Sequence, residues 1–299
     1  MAENDRWTVT IDPPVLLPGR PARVALQYSP DRDHDSRGVS AILRCLERYR
    51  YSRTETRTGA NGAMTTHRVT KTGQEELARL EAMLAGPSRF VRGQPETWQF
   101  ELEVPALGPA TFEGDVLRCD WTLEAKVDIP MGLDERLTQS VRVAQPMALL
   151  RAGVVATGQY GLFEDAPVNV DHFPAQIRLE PTPICLTDSF TGSFTVETAE
   201  PIEVQEVRLE LRVKAEVTVR GGHEEEILVG VGRLDVEAGQ FGGEFGTHRF
   251  HADAHDAWLP SIDLPHGRGR GSFHVILARA WSPDIHYVRE IALATTSEV

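Results

Sequence analysis

The densest group of metal-ligating side chains in the sequence is HRFHADAHD, residues 248–256. Imidazole and carboxylate groups are zinc ligands when three of them converge on one ion from a common side. One interpretation is therefore a metal-dependent enzyme or binder that uses His251, Asp253 and His255. The other interpretation takes HRFHADA as a β-strand, on which His248 faces the core beside Phe250 and His251 faces solvent.

A second group lies in RCLERYRYSRTETR, residues 44–57, which mixes five arginines with two tyrosines. This composition suits the binding of phosphate groups, anionic peptides or lipid headgroups. If the segment is a strand, its side chains divide between two faces. The candidate binding residues are Arg44, Arg48 and Arg50 on one face, and Tyr49, Tyr51 and Arg53 on the other. The alternative is a solvated strand face on which glutamates neutralise the arginines.

Charge and composition restrict the classes of partner. The net charge is −13, and the first 146 residues hold 19 basic and 21 acidic side chains, against 12 and 23 in the remainder. This acidic balance argues against nonspecific binding to nucleic acid or anionic membranes by the second half. We also expect no membrane span, because no apolar run is long enough for one.

Cysteine usage and motif content indicate an intracellular protein without catalytic machinery. The three cysteines (Cys45, Cys119 and Cys185) are odd in number and far apart, so they form neither a disulfide framework nor a zinc ribbon. No GxSxG, HExxH or glycine-rich phosphate loop is present. We therefore expect a cytoplasmic protein that is not an enzyme and needs no cofactor.

Alternation of apolar and polar residues dominates the chain and predicts an all-β fold. The clearest segment is VLRCDWTLEAKVDIP (116–130), in which every second residue from Leu117 to Ile129 is apolar. WQFELEV (98–104) and VRLELRVKAEVTV (207–219) show the same period. Strands with one apolar face belong to antiparallel sheets, and two such sheets stacked together form a sandwich.

The two halves of the chain also resemble each other. TWQFELEVPALGPATFEG (97–114) is echoed by THRFHADAHDAWLPSIDL (247–264), with Phe100 matching Phe250 and Phe112 matching Ile262. We interpret this as a tandem duplication of one β-sandwich, with domains at 1–148 and 149–299. The echo places HRFHADA on a strand equivalent to WQFELEV.

One segment departs from the β pattern. In GQEELARLEAMLAG (73–86), Leu77, Leu80 and Leu84 recur at helical spacing, acidic residues stand at the start, and Gly86-Pro87 follows. This spacing predicts a short amphipathic helix within the first domain.

The order of these features resembles the arrestin fold. The resemblance is carried by EELARLEAML, WQFELEVP, ALGPATFEG, CDWTLEAKVDIP and QSVRV in the first half, and more weakly by the echo in the second half. It implies two tandem immunoglobulin-like, arrestin-type β-sandwiches. It also implies a non-enzymatic scaffold or adaptor in signalling or membrane-protein trafficking, whose partner is a protein or peptide such as a membrane-protein tail.

Overall fold

The computed structural model describes residues 6–58, 64–152, 154–155, 158–159, 175–198, 200, 202–234, 246–255 and 257–297. Strands account for almost all of the regular structure, which confirms the predicted all-β class. None of the helices in the described residues is long and apolar enough to cross a membrane.

The described part of the chain up to Val143 contains eleven strands, most of them antiparallel to their neighbours. They are β1 (Trp7–Asp12), β2 (Val15–Leu16), β3 (Pro21–Tyr28), β4 (His34–Ser36), β5 (Gly38–Thr58), β6 (Met64–Ala85), β7 (Ser88–Phe90), β8 (Glu96–Glu103), β9 (Phe112–Glu113), β10 (Leu117–Asp128) and β11 (Glu135–Val143).

The described residues after Val143 begin with a short helix and continue with twelve strands. They are α1 (Met147–Arg151), β12 (Val154–Val155), β13 (Gly158–Gln159), β14 (Ala175–Glu180), β15 (Ile184–Cys185), β16 (Ser189–Val196), β17 (Glu206–Val217), β18 (Glu224–Leu234), β19 (Thr247–Ala254), β20 (Ile262–Asp263), β21 (Gly267–Ala278), β22 (Ile285–Ile291) and β23 (Leu293–Ala294).

The chain forms two compact units. Unit 1 comprises Met1–Arg48, Gly73–Thr111 and Arg118–Ala144, and unit 2 comprises Tyr49–Thr72, Phe112–Leu117 and Gln145–Val299. The last part of β5 (49–58) and the first part of β6 (64–72) thus belong to unit 2, whereas the rest of each strand belongs to unit 1. Alternation of apolar and polar residues cannot show that one strand is shared between two units. The predicted domain division at residue 148 stays a prediction.

The strand order of the first run recurs in the second. The first run contains the sheet β1-β3-β8 and the sheet β2-β11-β10-β5-β6, in which β2 runs parallel to β11. In the second run the corresponding groups, β14-β16-β19 and β18-β17-β21, are joined through β19 and β18 in one eight-stranded sheet, with β22 beside β21, and β15 runs parallel to β23. The echo between WQFELEV and HRFHADA falls on equivalent strands of these orders, β8 and β19.

Each unit buries the faces that alternation assigned to its core. In unit 1, the alternate residues Cys119, Trp121 and Leu123 of β10 are at most 1% exposed, and the indole N–H of Trp121 donates to the carbonyl of Pro109 at 2.8 Å. In unit 2, the alternate residues of β17 from Val207 to Val217 are all buried. Burial of one face per strand supplies the main driving force for the fold.

The helix predicted over 73–86 is wrong, because residues 73–85 lie in strand β6 and Gly86 follows its end. From Arg79 onward burial alternates with period two, with Leu80, Ala82 and Leu84 half-buried and the residues between them exposed. Leucine spacing also fits a helix, but hydrogen bonding to the neighbouring strand β5 overrides that local preference. Within the described residues, α1 is the α-helix of the fold, and its Met147 and Leu150 are buried.

Candidate functional site

The candidate surface is a polar sheet face in unit 1 that combines charged side chains with a groove. Strand β3 lies between β1 and β8, and both pairs are antiparallel. Directly opposite residues of an antiparallel pair point to the same side, so side chains form rows across the three strands. Among the rows that face outward, away from the buried Val24 and Leu26, two adjacent rows matter here. The rows are Asp12–Arg23–Glu101 and Thr10–Ala25–Gln99.

These two rows line a groove of about 450 Å³ in unit 1, together with Val24 and Phe100. Alanine occupies the centre of its row, between the longer side chains of Thr10 and Gln99. A small side chain at that position leaves room over the middle strand, which accounts for a depression on an otherwise pleated surface. The groove therefore offers hydroxyl, amide, carboxylate and guanidinium groups within one concave area.

The charged row carries one positive and two negative groups. Arg23 faces a carboxyl-bearing residue on each side in the strand register, yet its guanidinium makes no ion pair with any residue that the structure describes. Asp12, Arg23 and Glu101 are all exposed. The row can thus bind a cationic group at Asp12 or at Glu101, while the guanidinium of Arg23 stays available to donate hydrogen bonds to a carbonyl or carboxylate.

The predicted arginine stripe, residues 44–57, lies on β5, and several of its arginines form ion pairs with carboxylates. In unit 1, Arg44 forms ion pairs with Glu124 and, at 3.9 Å, with Glu76, and Arg48 pairs with Asp120. The guanidinium groups of these two residues are thereby neutralised by neighbouring strands. This arrangement matches the solvated face with arginine–carboxylate pairs that was the alternative interpretation of the segment.

The remaining residues of the stripe belong to unit 2. Arg53 pairs with Glu55 at 2.6 Å, and this contact raises the pKa of the guanidinium. The ring of Tyr49 stacks on the ring of His266 with 4.3 Å between centroids, and Tyr51 lies 6.0 Å from Tyr49. Arg50 is exposed and forms no ion pair with the described residues. Because consecutive residues of a strand point to opposite faces, Arg50 lies on the face opposite Tyr49 and Tyr51, and these three residues do not form one anion site.

The histidine cluster lies on β19 in unit 2, as the strand interpretation predicted. Phe250 is buried, His248 is half-buried, and burial lowers the pKa of His248. His251 and Asp253 are 61% and 76% exposed and lie 3.5 Å apart. His255 follows the strand, and its backbone N–H donates to the carbonyl of Val229.

The proposed metal ligands do not converge in the part of the chain that the structure describes. His251, Asp253 and His255 do not bring three ligand atoms within 4.8 Å of one another. Asp256, which completes the sequence cluster, lies outside the described residues. The geometry of β19 thus favours a strand with exposed polar side chains over a metal centre.

The groove residues were missed in the sequence because each stretch that supplies them looked unremarkable alone. Gln99 and Glu101 are the polar positions of WQFELEV, and Arg23 is a polar position of PARVALQY. Alternation shows that they face outward, but only the strand register places them beside Asp12. The row follows only when β3 is paired with both β1 and β8 in the observed register.

Comparison of the chain with protein-family models and with curated proteins finds no match.

Proposed function

We propose that the protein is a non-enzymatic scaffold or adaptor that binds an extended peptide segment of a protein partner on the β1-β3-β8 face. The observation that carries this proposal is the Asp12–Arg23–Glu101 row beside the groove. The preferred segment has a basic side chain against Asp12 or Glu101, to one side of Arg23.

The dimensions of the face suit an extended chain. Residues two apart on a strand lie about 7 Å apart, so the two rows have that separation. Alternate side chains of an extended peptide repeat over the same distance and can meet successive rows. A lysine or arginine that reaches Asp12 or Glu101 then places the side chain two residues away over Ala25, where the groove has space.

The electrostatics of the face point to a basic segment. The charged row has a net charge of −1, within a chain of net charge −13. Such a surface attracts basic segments during the encounter and repels acidic ones. Threonine and glutamine side chains in the neighbouring row supply hydrogen bonds that tolerate several peptide sequences.

We further propose that the two runs of strands are tandem immunoglobulin-like, arrestin-type β-sandwiches. Support comes from the recurring strand order and from the sequence echo between β8 and β19. On this proposal the partners include cytoplasmic tails of membrane proteins, and the protein acts in signalling or trafficking in the cytoplasm.

The test is a selection of short random peptides displayed on phage against the purified full chain. We expect enrichment of peptides that contain lysine or arginine, and we expect them to bind Ala25→Trp at least tenfold more weakly. Tryptophan at this half-exposed position fills the groove without entering the core. Asp12→Asn together with Glu101→Gln should weaken the same peptides and remove their preference for basic residues.

Ser140→Trp is the matched control, because it adds the same side chain at an exposed position of β11 in unit 1. The control should retain full peptide binding. Selected peptides that bind Ala25→Trp as well as they bind the original chain would contradict the proposal. So would a selection without any basic preference.

A further inference from the structure

The β14-β16-β19 part of the eight-stranded sheet of unit 2 has an outward face whose chemistry differs from that of the groove. Its rows follow from the two antiparallel registers, in which β16 is the middle strand. Arg178 lies opposite Ser193, and Ser193 lies opposite Arg249. The adjoining rows are Gln176–Thr195–Thr247 and Glu180–Thr191–His251.

The middle strand presents only hydroxyl groups on this face. Alternate residues of β16 point outward, and they are Ser189, Thr191, Ser193 and Thr195. The buried residues Phe190 and Phe194 occupy the opposite face. A line of hydroxyl groups therefore runs along β16. The neighbouring strands β14 and β19 carry Arg178 and Arg249 on either side of Ser193.

Both arginines of the central row are available. Arg178 and Arg249 are exposed, and neither forms an ion pair with any residue in the described part of the chain. In the same half of the sequence, where acidic residues outnumber basic ones by 23 to 12, arginines such as Arg212 and Arg268 do form ion pairs with carboxylates. Two unpaired guanidinium groups in one row form a local positive site.

We infer that the Arg178–Ser193–Arg249 row is a binding site for the phosphate group of a soluble phosphomonoester. The Cα atoms of the two arginines are separated by two strand spacings, roughly 10 Å. Long arginine side chains on both sides of Ser193 can span this distance to a single tetrahedral anion. Each guanidinium offers several N–H donors, and the hydroxyl of Ser193 can donate to a remaining oxygen.

The charges around the row define the ligand further. A phosphomonoester carries close to two negative charges at neutral pH, which two guanidinium groups balance. Glu180 and Asp253 lie farther along the same face and repel an extended polyanion. The outward residues of β14, β16 and β19 around the row are polar, and the exposed Val231 of β18 lies opposite Asp253, two rows away from Arg249. A small phosphomonoester fits these charges better than a nucleic acid or a membrane surface.

The experiment follows the arginine Nε–H resonances of the ¹⁵N-labelled full chain during titration with inorganic phosphate at constant ionic strength. Two resonances should shift along one saturable curve, and Arg178→Gln and Arg249→Gln should identify them. Each substitution should also weaken phosphate binding about tenfold or more, because it removes a charge-assisted pair. O-phosphoserine should bind through the same two resonances.

Arg220→Gln is the matched control, since Arg220 is an exposed arginine of unit 2 without an ion pair among the described residues. It should leave both affinities unchanged. Equal weakening by the control variant, or shifts spread evenly over all arginines, would show nonspecific attraction and overturn the assignment. Binding to vesicles that contain phosphatidic acid, without binding to phosphate or O-phosphoserine, would overturn it as well.

Discussion

The hydroxyl oxygen of Ser52 lies 2.7 Å from Nε2 of His223. Two backbone hydrogen bonds join the same two segments. The Ser52 N–H donates to the carbonyl of Gly221 at 2.7 Å, and the His223 N–H donates to the carbonyl of Arg50 at 3.1 Å. The far half of β5 is thus fixed within unit 2 against the turn between β17 and β18. Since one serine and one histidine stabilise a strand against a turn here, the pair has a structural role.

The Ser52 contact requires glycine at position 221. Gly221 has a φ of +76°, and a Cβ atom built there would lie 2.2 Å from the carbonyl oxygen of Ser52. Gly221→Ala should therefore lower the free energy of unfolding by about 3 kcal/mol or more, from backbone strain together with displacement of β5. Chemical denaturation followed by circular dichroism measures this loss.

Gly93 provides the control for this substitution. Its φ is +73°, but a Cβ atom would meet no other atom within 4 Å. Gly93→Ala should cost only about 1–2 kcal/mol, which is the strain of a left-handed alanine. If the two substitutions cost the same, the close approach of the Gly221 turn to Ser52 does not exist.

Glu225 stabilises a loop of unit 2 through its carboxylate. Its Oε1 atom accepts hydrogen bonds from the backbone N–H groups of Asp115 at 2.6 Å and Val116 at 3.0 Å. Glu225→Ala should lower the free energy of unfolding by about 2 kcal/mol, because it removes two charge-assisted hydrogen bonds. Thermal denaturation should show the loss as a lower midpoint.

The adjacent Glu224 separates this role from a general charge effect. Its carboxylate pairs with Lys214 at 2.8 Å, and both side chains are about half or more exposed. Glu224→Ala should change the stability by less than about 0.5 kcal/mol, as for other surface ion pairs. Comparable losses for the two alanine variants would contradict the assignment to Glu225.

Alternation predicted most strands because burial of one face leaves a direct record in the sequence. The seven residues from Leu117 to Ile129 that were assigned to the core are all buried. The strand nature of HRFHADA was also predicted, although its histidines suggested a metal site, because its pattern matches WQFELEV. Both successes rest on the period of two, which is a local property.

Features that depend on pairing between strands could not be predicted in this way. GQEELARLEAMLAG satisfies a helical spacing as well as a strand period, and its strand conformation is decided by β5, which is distant in sequence. Similarly, the Asp12–Arg23–Glu101 row can be predicted only when the registers of β1, β3 and β8 are known. Pairing selects the neighbours, whereas alternation selects only the face.

The three cysteines should resist modification in the native protein. The sulfur atoms of Cys45 and Cys119 lie 3.3 Å apart in unit 1, and all three thiols are buried. The hydrogen bond with Cys45 and burial raise the pKa of Cys119, and burial raises the pKa of Cys185. Because the thiolate is the reactive species, we expect native protein to react slowly with a chromogenic disulfide reagent and unfolded protein to expose three thiols.

Ser140→Cys, at an exposed position of β11, serves as the control for reagent access. It should add one rapidly reacting thiol to the native protein without changing the slow reaction of the others. Rapid reaction of two thiols in the unsubstituted native chain would contradict the buried positions of Cys45 and Cys119.

The buried His274 should make stability depend on pH. Its side chain is 8% exposed, and its Nε2 atom lies 2.8 Å from the hydroxyl of Ser272. Burial lowers its pKa below the ordinary value of 6.5, and nearby Arg212 lowers it further, against opposing effects of Glu226 and Glu210. The unfolded chain therefore takes up a proton at higher pH than the folded chain does. The stabilising contribution is complete above pH 6.5 and is lost as the pH falls through 6.5 towards the folded pKa.

His274→Gln should reduce this dependence while keeping a polar group beside Ser272. The free energy of unfolding of the original chain should fall between about pH 7.5 and about pH 5.5, by at most about 1.4 kcal/mol per pH unit for one histidine. The variant should show a smaller decrease, with a remainder from His248, whose pKa burial also lowers. His67→Gln, at an exposed position of β6, should leave the decrease unchanged. An identical decrease in the original chain and in His274→Gln would show that His274 takes up its proton equally in the folded and unfolded states, and that its burial has no effect on stability.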